Sequence, residues 1–202
     1  MDQQGWNKRT RARLEESYLQ ARTASGGSGC GRDESGWEIL RRPLVEAFDR
    51  SGTWLDVGCA NGLLLETLPM WAEGRGFQVE PFGLEFIPSV ADLARARLPH
   101  LAERIYTGDV TEVDPLRRWT FVTALTDAVP PSGLGGLLRL LRDRFAEPGG
   151  RVIVSSYGSS SRSEPAEDVV ERLVQEGFSV AGSAQAIDSG IVVTQTAWFD
   201  AG

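Results

Sequence analysis

Cysteine and histidine are nearly missing from these 202 residues: Cys30, Cys59 and His100 are the whole supply. With no CxxC spacing and fewer than the roughly four ligands a structural zinc site needs, metal binding through sulfur and imidazole is excluded. Both thiols are expected to be free. Long apolar runs are missing as well. No stretch approaches the roughly 18 residues of a membrane span, and the start, MDQQGWNKRTRAR, lacks the apolar centre of a secretory signal, so a cytoplasmic protein is expected. Positive charge is in deficit: 21 Lys and Arg face 28 Asp and Glu, a net of −7. That balance argues against nucleic-acid binding, which relies on cations displacing counterions from phosphates. The local exception, Lys8, Arg9, Arg11 and Arg13, reads as a solvated helix face, with a phosphate grip as the alternative. No Gly-Lys pair occurs anywhere, which removes the P-loop and with it the usual ATP site. Internal repeats are absent.

What remains is ordinary for one globular domain, 41% apolar and 24% charged. From Thr53 onward short strand-like runs alternate with amphipathic helices, the pattern of an α/β domain with a mainly parallel sheet. Seven strands are expected: TWLDV (53–57), FGLEF (82–86), RIYTG (104–108), TFVTAL (120–125), RVIVSSY (151–157), FSVAGSAQA (178–186) and IVVTQTAWF (191–199). Helices are expected over 63–71, over 89–98 with Ser89 as cap, over 135–145 and over 165–176. Only AIDSG separates the last two strands, too little for a parallel crossover, so they should form an antiparallel hairpin. The expected fold is a three-layer, doubly wound sheet of seven strands, mostly parallel, ending in that hairpin.

Residues 1–50 read as a helical cap in front of a main domain at 51–202. Trp6, Arg9, Arg13 and Glu16 share one face of a first helix whose apolar stripe is thin, so it needs tertiary support. SGGSGCGRDES (25–35), with four glycines and three serines, marks a mobile loop. Beyond it Trp37, Leu40, Leu44, Val45 and Phe48 recur at helical spacing around Pro43, which should kink or restart the helix.

The stretch WLDVGCANG (54–62) runs a strand into a glycine turn and a helix, an arrangement that offers backbone N–H groups to a ligand. The dinucleotide fingerprint G-x-G-x-x-G fails twice, with Ala60 at its second glycine and Leu63 at its third, which counts against NAD. Glu85 ends the second strand, 23 positions after Gly62, where an acid can accept both hydroxyls of a ribose. Asp109 follows the third strand beside Val110, and Asp56 lies within the first, close to the turn. Three acids at strand ends suit a ligand with hydroxyls, an amino group and a positive charge.

These residues together resemble the class I S-adenosylmethionine-dependent methyltransferases. The resemblance spans roughly 53–199 and rests on LDVGCANG, GLEF, YTGDV and FAEPGGRVIVSSY. EPFGLEFIPSVADLARARLP looks especially like actinobacterial methyltransferases of small molecules. The resemblance implies a Rossmann-like sheet of seven strands and S-adenosylmethionine as cofactor, leaving as S-adenosylhomocysteine. It implies Gly58, Ala60 and Gly62 against the methionine part, Cys59 filling space beneath it, Glu85 with Phe86 at the ribose, and Asp109 with Val110 near adenine. The family often has glycine where this chain has Ala60, so the local cofactor geometry is where it departs.

In that family the residues handling the nucleophile usually follow the fourth strand, here LTDAVPP. Thr126 would meet cofactor and substrate, and Asp127 would orient an amine or accept its proton; a solvated loop turned by two prolines is the alternative. Tyr157, also a catalytic candidate, joins Tyr18 and Trp37 as candidate substrate-pocket walls, with plain packing as the other reading. The serine run 155–164 lies just past the carboxyl end of the fifth strand, where open α/β sheets bind ligands; a flexible connector is equally compatible. His100 reads as a surface residue. The function expected is methyl transfer to a nitrogen or oxygen of a small metabolite, with secondary metabolism as the setting the resemblance suggests. The competing readings are a noncatalytic cofactor- or partner-binding module, an NAD-dependent oxidoreductase and an RNA methyltransferase. Residues up to about Asp49 are expected to form a lid, and monomer and homodimer stay open.

Overall fold

Side-chain alternation with a period of two sorts the strand residues into two cores, one on each face of a single sheet. In the computed structural model, which describes residues 2–29 and 33–202, the strands are β1 (Gly52–Val57), β2 (Val79–Glu85), β3 (Ile105–Thr107), β4 (Trp119–Leu125), β5 (Ala146–Tyr157), β6 (Gly182–Asp188) and β7 (Ile191–Asp200). Trp54, Phe121 and Ile153 enter one core; their neighbours Leu55, Val122, Val152 and Val154 enter the other. The spatial order is β3-β2-β1-β4-β5-β7-β6. β7 runs antiparallel to both β5 and β6, and the remaining pairs are parallel. The expected seven-stranded α/β fold with its terminal hairpin is what forms. The hairpin turn is tighter than AIDSG suggested: Ser189 and Gly190, with φ of 53° and 78°, make a two-residue turn of the type that suits strand twist.

The helices are α1 (Gln3–Gln20), α2 (Glu34–Arg41), α3 (Leu63–Glu73), α4 (Pro88–Arg97), α5 (Leu134–Leu140) and α6 (Val169–Gln175). Residues of α5 and α6 cover one face of the sheet, through Leu134, Leu137, Leu138, Val169 and Leu173. Residues of α3 and α4 cover the other through Leu65, Leu68, Ala72 and Ala94. No helix among the described residues is long and apolar enough to cross a membrane.

Several boundaries differ from expectation: β2 and β5 start earlier, at Val79 and Ala146, the helix expected over 135–145 is α5 continued by a π-helix over Leu141–Phe145, and three further differences have a local cause. Ser89 is not a cap: Ile87 precedes α4 without a side-chain cap, Pro88 fills the first turn, and the Ser89 hydroxyl donates instead to the Glu15 carboxylate of α1. α6 begins at Val169 rather than Pro165, because Asp168 accepts the Glu171 N–H at 2.9 Å and makes a better cap. β6 begins at Gly182, since Phe178 is held at the end of α6 by its N–H to Leu173 O (3.0 Å) and packs against Phe199, ring centroids 4.3 Å apart.

The largest difference lies ahead of β1. α2 stops at Arg41 and a 3-10 helix, Arg42–Ala47, restarts at Pro43 as that proline requires. Leu44, Val45, Ala47 and Phe48 are buried with Trp54 and Phe121, and the Phe48 ring lies 4.5 Å from that of Phe121. Residues 44–48 thus pack into the same core as β1 and β4. α1, by contrast, has no buried residue. The stretch expected as a mobile loop folds, over its described part, into turns in which Ser25 is buried and the Ala24 carbonyl accepts from Asn61 Nδ2 at 2.7 Å. Cys30 lies outside the described residues.

Gly83 in β2 lets the glycine turn sit directly on the sheet. A Cβ there would stand 2.6 Å from Cys59 Sγ and 2.9 Å from Leu65 Cδ1. Gly83→Ala should therefore destabilise by about 1–3 kcal/mol, the usual range for overpacking a core. Urea denaturation checks this, with a lowered midpoint and an unchanged slope expected.

Candidate functional site

The chain leaves β1 for β2 and β3 on one side and for β4 and β5 on the other, so the sheet has its switch point between β1 and β4. Crevices outside the carboxyl ends of strands open at such points. Here the crevice is a cavity of about 730 Å³ floored by the turn after β1 and the ends of β2, β4 and β5, with α1 and α2 above. That size falls in the ordinary range of small-molecule sites.

The turn is built backbone first. Gly58 N–H and Cys59 N–H both donate to Leu84 O, at 2.7 and 3.2 Å, which pins the turn to the end of β2. Gly58 has φ +83° and a Cβ on it would meet nothing within 4 Å, so this residue borders open space. Ala60 takes φ +48°, a left-handed conformation more natural to glycine. What holds it is a bond from Ala60 N–H to Glu85 Oε2 at 3.0 Å, while Glu85 Oε1 accepts from Ile87 N–H at 2.9 Å. The Phe86 N–H also bonds this carboxylate, which still has lone-pair capacity for a ligand donor. Glu85 is 3% exposed, and burial pushes its carboxyl up to about 7 against the opposing pull of those N–H bonds.

Asp56 sits deeper. Burial raises its carboxyl to about 6, offset by the Thr123 hydroxyl, which donates to it at 2.8 Å, and by the Arg41 charge. Thr123 in turn accepts from Trp54 Nε1 at 2.9 Å. Asp109 accepts from the Thr111 N–H and hydroxyl, each at 2.8 Å, through one oxygen and from Asn7 of α1 through the other. Burial pushes the Cys59 thiol well up, so it is a space-filler and no thiolate. Tyr18, pushed to about 12 by burial and the nearby Glu85 charge, stays a protonated donor at the cavity wall.

Asp56, Gly58, Cys59, Ala60, Glu85, Phe86, Asp109, Val110, Thr126, Asp127, Tyr157, Tyr18 and Trp37 all line this one cavity. Gly62 does not. Its Cα faces Leu98 and Ala94 of the core, so its place in the turn comes from packing and from φ +76°. Asp127 stands on the 3-10 turn Thr126–Ala128, its side chain open to the cavity yet crowded enough by protein for burial to raise its carboxyl. The Tyr157 ring lies under the Arg41 guanidinium, 3.8 Å from centroid to carbon. Of the serine run, Ser155, Ser156, Ser159 and Ser161 reach the lining. His100 is exposed on the 3-10 helix after α4.

Several lining residues escaped sequence reasoning. Trp6 Nε1 donates to Asp127 O at 3.0 Å, Asn7 reaches Asp109, and Arg13 lines the cavity while Lys8, Arg9 and Arg11 are exposed. Arg41 is 7% exposed. Its one signal was its spacing, four residues after Trp37 on the same helix face.

No protein-family model matches the chain, and no curated protein matches it in sequence. Solved structures do. The pyocyanin biosynthetic protein PhzM superposes with a TM-score of 0.64 at 16% identity over 94% of this chain, which spans 62% of that one. A Burkholderia thailandensis 1,6-didemethyltoxoflavin-N1-methyltransferase, solved with its substrate and S-adenosylhomocysteine, gives 0.63 at 17% identity, covering 100% of this chain and 91% of that one. The protein PH0226 of Pyrococcus horikoshii OT3 gives 0.63 at 16%, covering 93% and 99%. The fold is that of the S-adenosylmethionine-dependent methyltransferase structures.

A carboxyl raised by folding binds a proton that the unfolded chain has released, so stability falls as pH rises between the two values. For Glu85 the window runs from its ordinary 4.5 to about 7, and Asp56 acts in the same direction up to about 6. Stability of the ligand-free protein should drop by on the order of 3 kcal/mol between pH 5 and 7.5. In Glu85→Gln most of that slope should vanish, as denaturant titrations at several pH values would show.

Proposed function

We propose that this protein transfers a methyl group from S-adenosylmethionine to a nitrogen or oxygen of a small metabolite in the cytoplasm. The observation that carries the reading is Glu85: a buried carboxylate, locked to the glycine turn, with lone-pair capacity left over in a cavity whose walls hold three more acids, Asp56, Asp109 and Asp127. A diol fits those lone pairs, Asp109 suits an adenine amino group, and Asp56 suits an ammonium. A pyrophosphate fits none of them.

When bound, the cofactor supplies an electrophilic methyl on a sulfonium with a good neutral leaving group. The protein's own task is then alignment and exclusion of water, which can supply on the order of 7 kcal/mol or more of the barrier. Thr126 and Asp127, at the end of β4, are the residues placed to orient the nucleophile. Asp127 with its raised carboxyl is a better proton acceptor than a solvated aspartate, and it suits an amine or hydroxyl that loses its proton. Tyr18, Trp37 and Tyr157 shape the acceptor's space. The narrower setting, secondary metabolism, draws support from the likeness to PhzM, a pyocyanin biosynthetic protein.

α1 is the lid in this reading. It is tied down by Trp6 to Asp127 and Asn7 to Asp109, contacts that end on residues lining the cavity, and by Glu15 to Ser89 of α4. Deleting residues 1–20 should leave a folded domain with turnover reduced at least tenfold, whereas deletion through 49 should unfold it by removing Phe48 from the core. Circular dichroism beside a methyl-transfer assay separates the two.

Calorimetric titration tests the cofactor. S-adenosylhomocysteine should bind and NADH should not. Because the diol donates to an ionised Glu85, affinity should rise through pH 6 to 7 and level off above, falling several-fold per unit below about 7. Binding of NADH alone would end the methyl-transfer reading.

A further inference from the structure

The residues of α1 that line the cavity, Trp6, Asn7, Thr10, Arg13, Leu14 and Tyr18, recur at three- and four-residue spacing, so one face of the helix forms the cover. Of the basic cluster on this helix only Arg13 lies on that face; Lys8, Arg9 and Arg11 are exposed outside it. Burial raises the Asp127 carboxyl and the Arg13 charge opposes it, so the two groups are electrostatic neighbours, and Arg13 belongs to the end of the cavity where the nucleophile is placed. The two do not pair. Arg13 is exposed and makes no hydrogen bond or ion pair with any described residue, which leaves all its donors open toward a ligand.

The charges in the cavity point the same way. Asp56, Glu85 and Asp109 are used by the cofactor in the reading above, and what remains is Asp127 with Arg13, Arg41 and Arg162. Arg41 is 7% exposed and stacks on Tyr157. Arg162 stands at the tip of the serine loop, which is closed by Ser159 N–H to Glu164 O at 2.7 Å and Glu164 N–H to Ser159 O at 2.9 Å, and it shares its charge with Glu164 at 2.8 Å. The acceptor's end of the cavity is therefore net positive, with Arg13 as its open cation. An open guanidinium fork matches a planar carboxylate, and the Asp127 charge nearby disfavours a dianion such as a phosphate. The rings of Trp6, Tyr18 and Tyr157 on the same lining suit a flat apolar body.

We propose that the methyl acceptor is an aromatic acid whose carboxylate is held by Arg13, with Arg162 adding charge from the serine loop and the ring lying among Trp6, Tyr18 and Tyr157. This acceptor rests on the methyl-transfer reading, in which the cofactor takes Glu85 and the nucleophile meets Asp127. The carboxylate serves as a handle, and the nucleophile is a separate hydroxyl or amine on the ring.

Calorimetry on the protein saturated with S-adenosylhomocysteine tests this with salicylate against salicylamide, anthranilate against anthranilamide, and phenyl phosphate. Wild type should bind at least one of the two carboxylates more tightly than its amide by about tenfold or more. Arg13→Met should weaken that acid by about the same factor and leave the amide and S-adenosylhomocysteine unmoved, which also shows that the variant is folded; Arg13→Lys should keep part of the affinity. Arg162→Gln should cost about two- to threefold, because Glu164 and solvent already screen that charge. Lys8→Met removes the same charge from outside the cavity and should change nothing. Binding of neither carboxylate, equal binding of acid and amide, equal loss of both in Arg13→Met, or the same loss of acid in Lys8→Met overturns the proposal. Phenyl phosphate binding more tightly than either acid overturns the carboxylate. If S-adenosylhomocysteine fails to bind the wild type, the methyl-transfer reading falls instead, and the same pairs titrated into the unliganded protein still decide whether Arg13 holds an acid.

Discussion

The site depends on one buried carboxylate. Glu85 accepts from Ala60 N–H on one oxygen and Ile87 N–H on the other, and so ties the glycine turn after β1 to the start of α4. Without that tie Ala60 has no compensation for its left-handed backbone. The same burial that makes these bonds strong disfavours the charge that a diol ligand would call on. The one placement thus sets the burial that raises this carboxyl against the ionised form that a hydroxyl ligand would need.

Around this joint the amino-terminal segment divides in two. The stretch from α2 through Phe48 is bonded into the core by aromatic packing and by Thr194 Oγ1, which donates to Leu40 O at 2.8 Å, so α2 can hold Trp37 and Arg41 rigidly against the cavity. α1 has no such anchorage. Its polar contacts with the rest of the chain, through Trp6, Asn7 and Glu15, are each worth about 1 kcal/mol net. A buried wall and an unburied cover come from the same fifty residues, and burial separates them.

Much of the fold was legible because it is written locally. All seven strands and the hairpin follow from apolar runs, alternation and a connection too short for a crossover. Element ends were less legible, because they turn on competition between neighbours. Ser89 had the chemistry of a cap and Asp168 the position of one, and Phe178 looked like strand until a core contact with Phe199 claimed it.

The sequence by itself determined the sheet, its order of acids and its glycine turn, since Asp56, Glu85 and Asp109 each sit at a strand end and strand ends of one sheet converge. Tertiary structure alone decided that Gly62 faces the core, that Asn7 and Trp6 of a thinly apolar helix reach Asp109 and Asp127, and that Arg41 is buried with no carboxylate paired to it among the described residues. The physical reason is range. Backbone geometry and hydrophobic period act over a few residues and can be read along the chain, whereas desolvation and the partnering of a buried charge depend on everything that packs around it.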